Sequence, residues 1–167
     1  MRILGIDPGY AIVGIGVVEY AGNKFRTLEY NAITTPAGMN TVARLKKIYD
    51  EMELYIEKYK PDCISIEELF FNSNQKTAIN VAQARGVLLV AAANHNIPIS
   101  EYTPLQVKQS VTGYGRAQKQ QIQQMVKMIL GLNAIPKPDD AADALALAIC
   151  HAHSNKMNNM LGLNGVK

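Results

Sequence analysis

Residues 2–20 read RILGIDPGYAIVGIGVVEY, two apolar runs separated by a Pro-Gly turn. The first run, Arg2–Asp7, predicts a short strand that ends in a carboxylate, and Ile12–Tyr20 predicts a second strand. Gly22-Asn23 predicts a turn into a third strand over roughly Lys24–Ile33. Because the connections are short, the three strands are expected to pair as an antiparallel meander.

The period of the apolar residues then changes to that of a helix. Further elements are predicted at Thr41–Tyr59 (helix), 62–67 (strand), Gln75–Ala93 (helix), Ile97–Tyr102 (strand), a short helix capped by Thr103, Ala117–Leu130 (helix) and a last helix from Asp139. This order predicts an α/β fold with a mixed five-stranded sheet flanked by helices, the order of the ribonuclease H-like fold. Residues 1–153 are expected to form one domain, and residues 154–167 a flexible polar tail.

Composition limits the class of protein. The chain has 167 residues, 48% hydrophobic and 19% charged, which suits a single globular domain. Asp7 and Pro8 interrupt the first apolar segment, so no signal peptide is expected, and no run has the roughly 20 apolar residues of a membrane span. Cys63 and Cys150 lie in apolar contexts and are expected to be buried free thiols. A cytoplasmic location is therefore expected.

Charge is distributed unevenly along the chain. Between Leu69 and Pro138 the only acidic residue is Glu101, whereas that segment contains Lys76, Arg85, Lys108, Arg116, Lys119, Lys127 and Lys137. The asymmetry is compatible with one basic surface for a polyanion and, equally, with scattered solvated lysines.

Carboxylates stand at the ends of three otherwise apolar elements. Asp7 ends the first strand, Glu67 and Glu68 end the fourth, and Asp139, Asp140 and Asp143 open the last helix. Each has a simple structural interpretation, as a turn cap, a solvated loop residue or a helix cap. Taken together, acids beside buried apolar residues favour a divalent-cation site, because Mg²⁺ takes oxygen ligands.

Five motifs, in order over Arg2–His153, make the chain resemble the RuvC family of Holliday junction resolvases. They are Gly5-Ile6-Asp7-Pro8-Gly9, Ile66-Glu67, Gln83-Ala84-Arg85-Gly86, Gln106-Val107-Lys108-Gln109 and Asp140-Ala141-Ala142-Asp143-Ala144-Leu145-Ala146. The resemblance implies that Asp7, Glu67, Asp140 and Asp143 are catalytic carboxylates that bind two Mg²⁺ ions, for which Mn²⁺ can substitute. Asp139 remains an alternative to Asp140.

The same resemblance implies residues that hold DNA. Lys108 and Lys119 match family lysines near the scissile phosphate, with Lys119 also expected to stabilise the transition state. Phe70 matches an aromatic that contacts bases near the junction centre. Apart from the resemblance, the glycine-flanked loop Gly113-Tyr114-Gly115-Arg116 makes Arg116 an expected phosphate contact. His151 and His153 are expected to have structural roles at the end of the last helix.

The implied partners are four-way junction DNA, a second copy of the chain, and the branch-migration proteins RuvA and RuvB. The helix over Gln75–Ala93 is apolar on more than one side, which favours it as the dimer interface over a fully buried core helix.

Three other functions compete with junction resolution. Another ribonuclease H-like nuclease, acting on RNA or an RNA–DNA hybrid, would use the same carboxylates. An actin-like ATPase or sugar kinase needs two lobes, for which 167 residues are too few. A junction-binding protein without activity would gain nothing from four acids facing DNA.

Overall fold

The computed structural model describes residues 1–69 and 75–160, with side chains for 1–69 and 78–157. Its strands are β1 Arg2–Asp7, β2 Ile12–Ala21, β3 Lys24–Thr34, β4 Cys63–Glu67 and β5 Ile99–Tyr102. Its helices are α1 Thr41–Tyr59, α2 Gln75–Asn94, α3 Pro104–Thr112, α4 Lys119–Ile129 and α5 Asp139–Met160.

The five strands form one mixed sheet in the order β3-β2-β1-β4-β5. The first three pair antiparallel, as the meander prediction requires, whereas β1, β4 and β5 run parallel. Ile6 of β1 pairs with Ile66 of β4, so the next residue of each strand, Asp7 and Glu67, leaves the sheet at the same edge. The predicted mixed five-stranded sheet flanked by helices is confirmed.

Alternating side chains of the sheet build a core on each face. On one face Leu4, Ile6, Ile64 and Ile66 pack with buried residues of α1 and α2. On the other face Ile3 and Cys63 pack with α3, α4 and α5. Both cysteines are buried and free, as expected.

Helix α5 lies directly on β1 and β2 because two strand residues are glycines. A Cβ added at Gly5 would overlap the carbonyl oxygen of Ala144, and one added at Gly14 would overlap that of Asp140. Only glycine allows this approach, which brings the first turn of α5 to the sheet edge where Asp7 lies.

The last helix is longer than the sequence pattern predicts. It continues past His153 to Met160, so the part of the expected tail up to Met160 is helical. The side chain of Asn155 donates a hydrogen bond to Met1 Sδ at 3.1 Å, which connects this extension to the start of the chain. Residues 161–167, the rest of the predicted tail, lie outside the described residues.

Smaller differences occur at element boundaries. Strand β5 begins at Ile99 and not at Ile97, whose amide donates to Ala92 at the end of α2. Thr103 caps α3 as predicted, with a reciprocal capping box to Gln106. No helix in the described part of the chain has the length and apolar character to cross a membrane.

Candidate active site

The edge of the sheet where β1 and β4 end opens into a small cavity of about 210 Å³. Asp7 and Glu67 enter it from the strands, and Asp143 enters from the second turn of α5. Lys108 of α3 and Lys119 of α4 complete its charged lining. The fold therefore gathers residues from five elements that are far apart in sequence.

The carboxylates in this cavity repel one another. The pKa of Asp7 is raised from 3.8 to about 7, first by burial and then by the charges of Glu67, Asp143 and Asp140. Burial also raises the pKa of Glu67, with a further contribution from Asp143. The cluster therefore holds more negative charge than its surroundings neutralise, as expected of residues that serve a cation.

Lys119 supplies the nearest positive charge. Its Nζ donates to Asp143 Oδ2 at 2.9 Å and lies 3.9 Å from Asp139 Oδ2. The hydrogen bond to Asp143 is the main cause of its raised pKa, and its charge lowers the pKa of Asp7. Lys119 is thus part of the carboxylate cluster, although the first turn of a helix disfavours a cation.

The two adjacent aspartates at the start of α5 have different environments. Asp139 lies 2.6 Å from Lys137 Nζ, and this contact is the first cause of its lowered pKa. Asp140 packs its backbone against Gly14 of β2 and contributes to the raised pKa of Asp7. Asp140 therefore contributes to the raised pKa of Asp7, whereas Asp139 contacts Lys137 and, at 3.9 Å, Lys119.

The chemistry of the donor set suits a hard divalent cation, because the four acids offer only oxygen. Within residues 1–69 and 75–160, however, no three His, Cys, Asp or Glu side chains converge closely enough to form a finished metal site. One oxygen of Asp143 is instead held by Lys119. The carboxylates fit Mg²⁺ by ligand type and by their unneutralised charge.

Of the predicted DNA-binding residues that the structure describes, only Lys108 and Lys119 line the cavity. Arg116 is exposed in the loop that follows the left-handed Gly113 at the end of α3. Phe70 lies outside the described residues.

The two histidines of α5 lie within the helix and not at its end. His151 is buried and bonded to the Tyr102 hydroxyl at 2.9 Å, and burial lowers its pKa. His153 contacts Ser110 of α3. Both side chains bond within the fold, as the structural interpretation expects. The expected position at the helix end is wrong, because α5 continues past both histidines to Met160.

Sequence reasoning gave no role to two buried arginines near these strand ends. Arg44 of α1 donates to the carbonyls of Tyr10, Thr35 and Pro36 and connects the loop after Asp7 to the loop before α1. Arg85 of α2 donates to the carbonyl of Glu67. Arg85 belongs to the Gln-Ala-Arg-Gly motif, so a signal for it was present in the sequence.

A mixed five-stranded sheet with helices on both faces and carboxylates gathered at one edge defines the ribonuclease H-like class of nucleases. The family model described as crossover junction endodeoxyribonuclease RuvC matches residues 3–151. The chain therefore belongs to the RuvC family and is an endodeoxyribonuclease.

Curated relatives match over nearly the full length of both chains. A crossover junction endodeoxyribonuclease RuvC from Ruminiclostridium cellulolyticum is 64% identical, covering 97% of this chain and 98% of the relative. One from Clostridioides difficile is 58% identical, covering 96% and 95%.

Solved structures agree with the family and the fold. The Thermus thermophilus RuvC in complex with a Holliday junction substrate is 36% identical, with a TM-score of 0.91 over 95% of this chain and 96% of that one. The yeast mitochondrial Holliday junction resolvase Ydc2, 15% identical, shares the fold with a TM-score of 0.68 over 99% of this chain and 86% of that one.

Proposed function

We propose that this protein resolves Holliday junctions in DNA recombination and repair by paired, symmetric, metal-dependent hydrolysis of two phosphodiester bonds. The observation that carries the proposal is the cavity in which Asp7, Glu67 and Asp143 meet Lys108 and Lys119. Its acids suit a divalent cation and its lysines suit a phosphate. The complex of the Thermus thermophilus relative with a Holliday junction supports this choice of substrate.

Nucleases of this family are metal-dependent. In this chain Asp7, Glu67, Asp140 and Asp143 would hold two Mg²⁺ ions, with Mn²⁺ able to substitute. Held by these carboxylates, a divalent cation would supply Lewis-acid chemistry, which lowers the pKa of a bound water and stabilises a leaving oxygen. The carboxylates keep the donor set entirely oxygen, which selects hard cations over Zn²⁺.

The basic residues act on the DNA. Lys119 and Lys108 offset the charge of the scissile phosphate, and Lys119 also keeps Asp143 in place in the absence of substrate. This positive charge favours the transition state, in which the attacked phosphate gains charge. Arg116 contacts a backbone phosphate, and Phe70 stacks on a base at the junction centre.

Two nicks related by a twofold axis require two sets of carboxylates, and hence a dimer. The exposed apolar surface of α2 supports binding of a second copy of the chain at this helix. Ile79 and Val90 are 57% and 54% exposed there. A shallow apolar groove of about 400 Å³ runs beside them between α1 and α2, lined by Leu45, Tyr49, Val87 and Val90. RuvA and RuvB are the proposed branch-migration partners. The proposed location of the protein is the cytoplasm.

One experiment tests the substrate and the metal together. The protein is incubated with a labelled four-way junction, a linear duplex of the same sequence and an RNA–DNA hybrid, with and without Mg²⁺, and Asp7→Asn serves as the inactive control. Symmetric nicks in the junction alone, and only with Mg²⁺, are expected. Preferential cleavage of the hybrid would instead assign the protein to RNA processing.

A further inference from the structure

The Gln83-Ala84-Arg85-Gly86 segment of α2 contains a charged residue that neither the cavity nor the DNA-binding set explains. Arg85 is buried, with 9% of its surface exposed, in a helix whose other buried residues are apolar. A buried cation destabilises a fold unless its charge is compensated, so its partners indicate what it is for.

The partners of Arg85 are at the ends of two adjacent strands. Its Nε donates to the backbone carbonyl of Glu67, the last residue of β4, at 3.4 Å. Its Nη2 lies 2.6 Å from Oε2 of Glu101 in β5, a contact between charges without hydrogen-bond geometry. Glu101 is paired with Ile66 in the parallel ladder, so one guanidinium connects α2 to both strand ends.

The contact approaches Glu67 from the face opposite its carboxylate. Ile66 packs with Ala84 and Leu88 of α2, whereas the Glu67 side chain lines the cavity beneath α5. Arg85 therefore touches the main chain of Glu67 and leaves its carboxylate oxygens to the cavity. The peptide group between Glu67 and Glu68 is the last one of β4 that is held on both sides: its amide donates to the carbonyl of Tyr102 in β5, and its carbonyl accepts from Arg85.

We propose that Arg85 is a positioning residue, which orients the carboxylate of Glu67 toward the metal by fixing the backbone of Glu67 from α2. The proposal rests on the proposed function, in which Glu67 is a metal ligand. Groups that orient a ligand commonly change metal affinity or activity by about 10- to 100-fold when they are removed.

The test measures metal binding by the full-length protein without DNA, using Mn²⁺ and electron paramagnetic resonance. Arg85→Gln is expected to weaken Mn²⁺ binding by about tenfold or more. Arg85→Lys is expected to lose less, because an ammonium can contact one of the two partners but lacks the guanidinium fork. Glu101→Gln, which removes the charge partner, is expected to shift binding in the same direction by a smaller factor.

Two further variants separate positioning from loss of structure. Arg26→Gln removes an arginine–glutamate pair of 3.0 Å to Glu19, on the β2–β3 hairpin, and is expected to bind Mn²⁺ like the unmodified protein. Asp7→Asn is expected to lose binding. Thermal unfolding of each variant identifies the temperature range in which all are folded, and binding is measured within it.

The outcomes distinguish failure of the positioning role from failure of the proposed function. If Asp7→Asn weakens binding but the Arg85 and Glu101 variants do not, the positioning role is overturned and the proposed function stands. If Asp7→Asn also binds normally, the carboxylate site is not the metal site and both fail. Should Arg85→Gln not fold, unchanged binding by Arg85→Lys and Glu101→Gln would overturn the positioning role.

Discussion

At the scale of single residues, the carboxylates of the cavity have a charge that DNA phosphates would repel. Asp7→Asn, Glu67→Gln and Asp143→Asn are each expected to reduce junction cleavage by about 10²-fold or more while junction binding is retained. The reason is that these acids serve the metal and not the DNA. Gel shift without Mg²⁺ and cleavage with Mg²⁺, on the same protein preparation, check this. Binding that falls in parallel with cleavage would contradict the assigned role.

The charge on Asp7 also affects stability. Its folded pKa of about 7 exceeds the ordinary 3.8, so the folded chain binds the proton more tightly than the unfolded chain does. The contribution of Asp7 to the free energy of unfolding is therefore fully present below pH 3.8 and is lost as the pH rises toward 7.

Asp7→Asn removes the charge that lowers the stability of the folded protein at neutral pH. In metal-free buffer above pH 7 the variant is expected to be more stable than the unmodified protein, with a free energy of unfolding larger by a few kcal/mol, on the order of the pKa shift. It should therefore unfold at a higher temperature. The gap should narrow as the pH approaches 3.8, and Mg²⁺ should stabilise only the unmodified protein. Thermal melts in a chelator across this range measure it. Parallel curves at every pH would show that Asp7 is not buried beside other charges.

Lys119 and Arg116 are expected to affect different quantities, the cleavage rate and the affinity for DNA. Lys119 contacts Asp143, so Lys119→Ala should reduce the cleavage rate by about 10²-fold with a small effect on binding. Arg116 is exposed in its loop, so Arg116→Ala should weaken binding and reduce its salt dependence. Single-turnover rates and binding at several salt concentrations separate the two. Small effects of equal size in both variants would indicate that Lys119 and Arg116 are solvated surface residues without a role in cleavage or binding.

At the scale of elements, the first turn of α5 decides between neighbouring aspartates. Asp140→Asn is expected to be inactive because the charge of Asp140 acts on Asp7, whereas Asp139→Asn should keep most activity and lose its contacts with Lys137 and Lys119. Exposed ion pairs of this kind contribute little to stability. Lys137→Gln is the matched control, with the same pair broken from the other side. An active Asp140→Asn with an inactive Asp139→Asn would move the ligand by one residue.

At the scale of the whole molecule, paired cleavage depends on assembly. Val90→Glu places a charge on the exposed face of α2 and is expected to give monomers by light scattering, because a charge is unfavourable in an apolar interface. Leu54→Glu, at a 61% exposed position of α1, is the matched control and should remain dimeric.

The monomeric variant should nick one strand per encounter and leave junctions unresolved. Nicked intermediates are separated from resolved duplexes on a native gel, followed by a denaturing gel. A Val90→Glu protein that remains dimeric would place the interface elsewhere, and an unmodified protein that is monomeric even on junction DNA would contradict paired cleavage by a dimer.

Much of this architecture could be predicted from the sequence. Apolar patterns, turn residues and helix caps together located the ten elements of the described residues, and Thr41–Tyr59 matches α1 at both ends. Acids at the ends of apolar elements indicated Asp7, the pair Glu67 and Glu68, and the aspartates that open α5, and the resemblance selected Glu67 and Asp143 among them. Motif order indicated the family. These properties depend on local sequence, which is why periodicity and spacing are sufficient for them.

The contacts between elements were decided only by the tertiary structure. Two of these contacts join segments far apart in the chain: Lys119 with Asp143, and Arg85 with the carbonyl of Glu67. The different environments of Asp139 and Asp140 depend on the direction of each side chain. Glycines at positions 5 and 14 allow the backbone of α5 at Ala144 and Asp140 to lie against the sheet. Spacing along a chain specifies which residues share a face, but packing between faces specifies which of them meet.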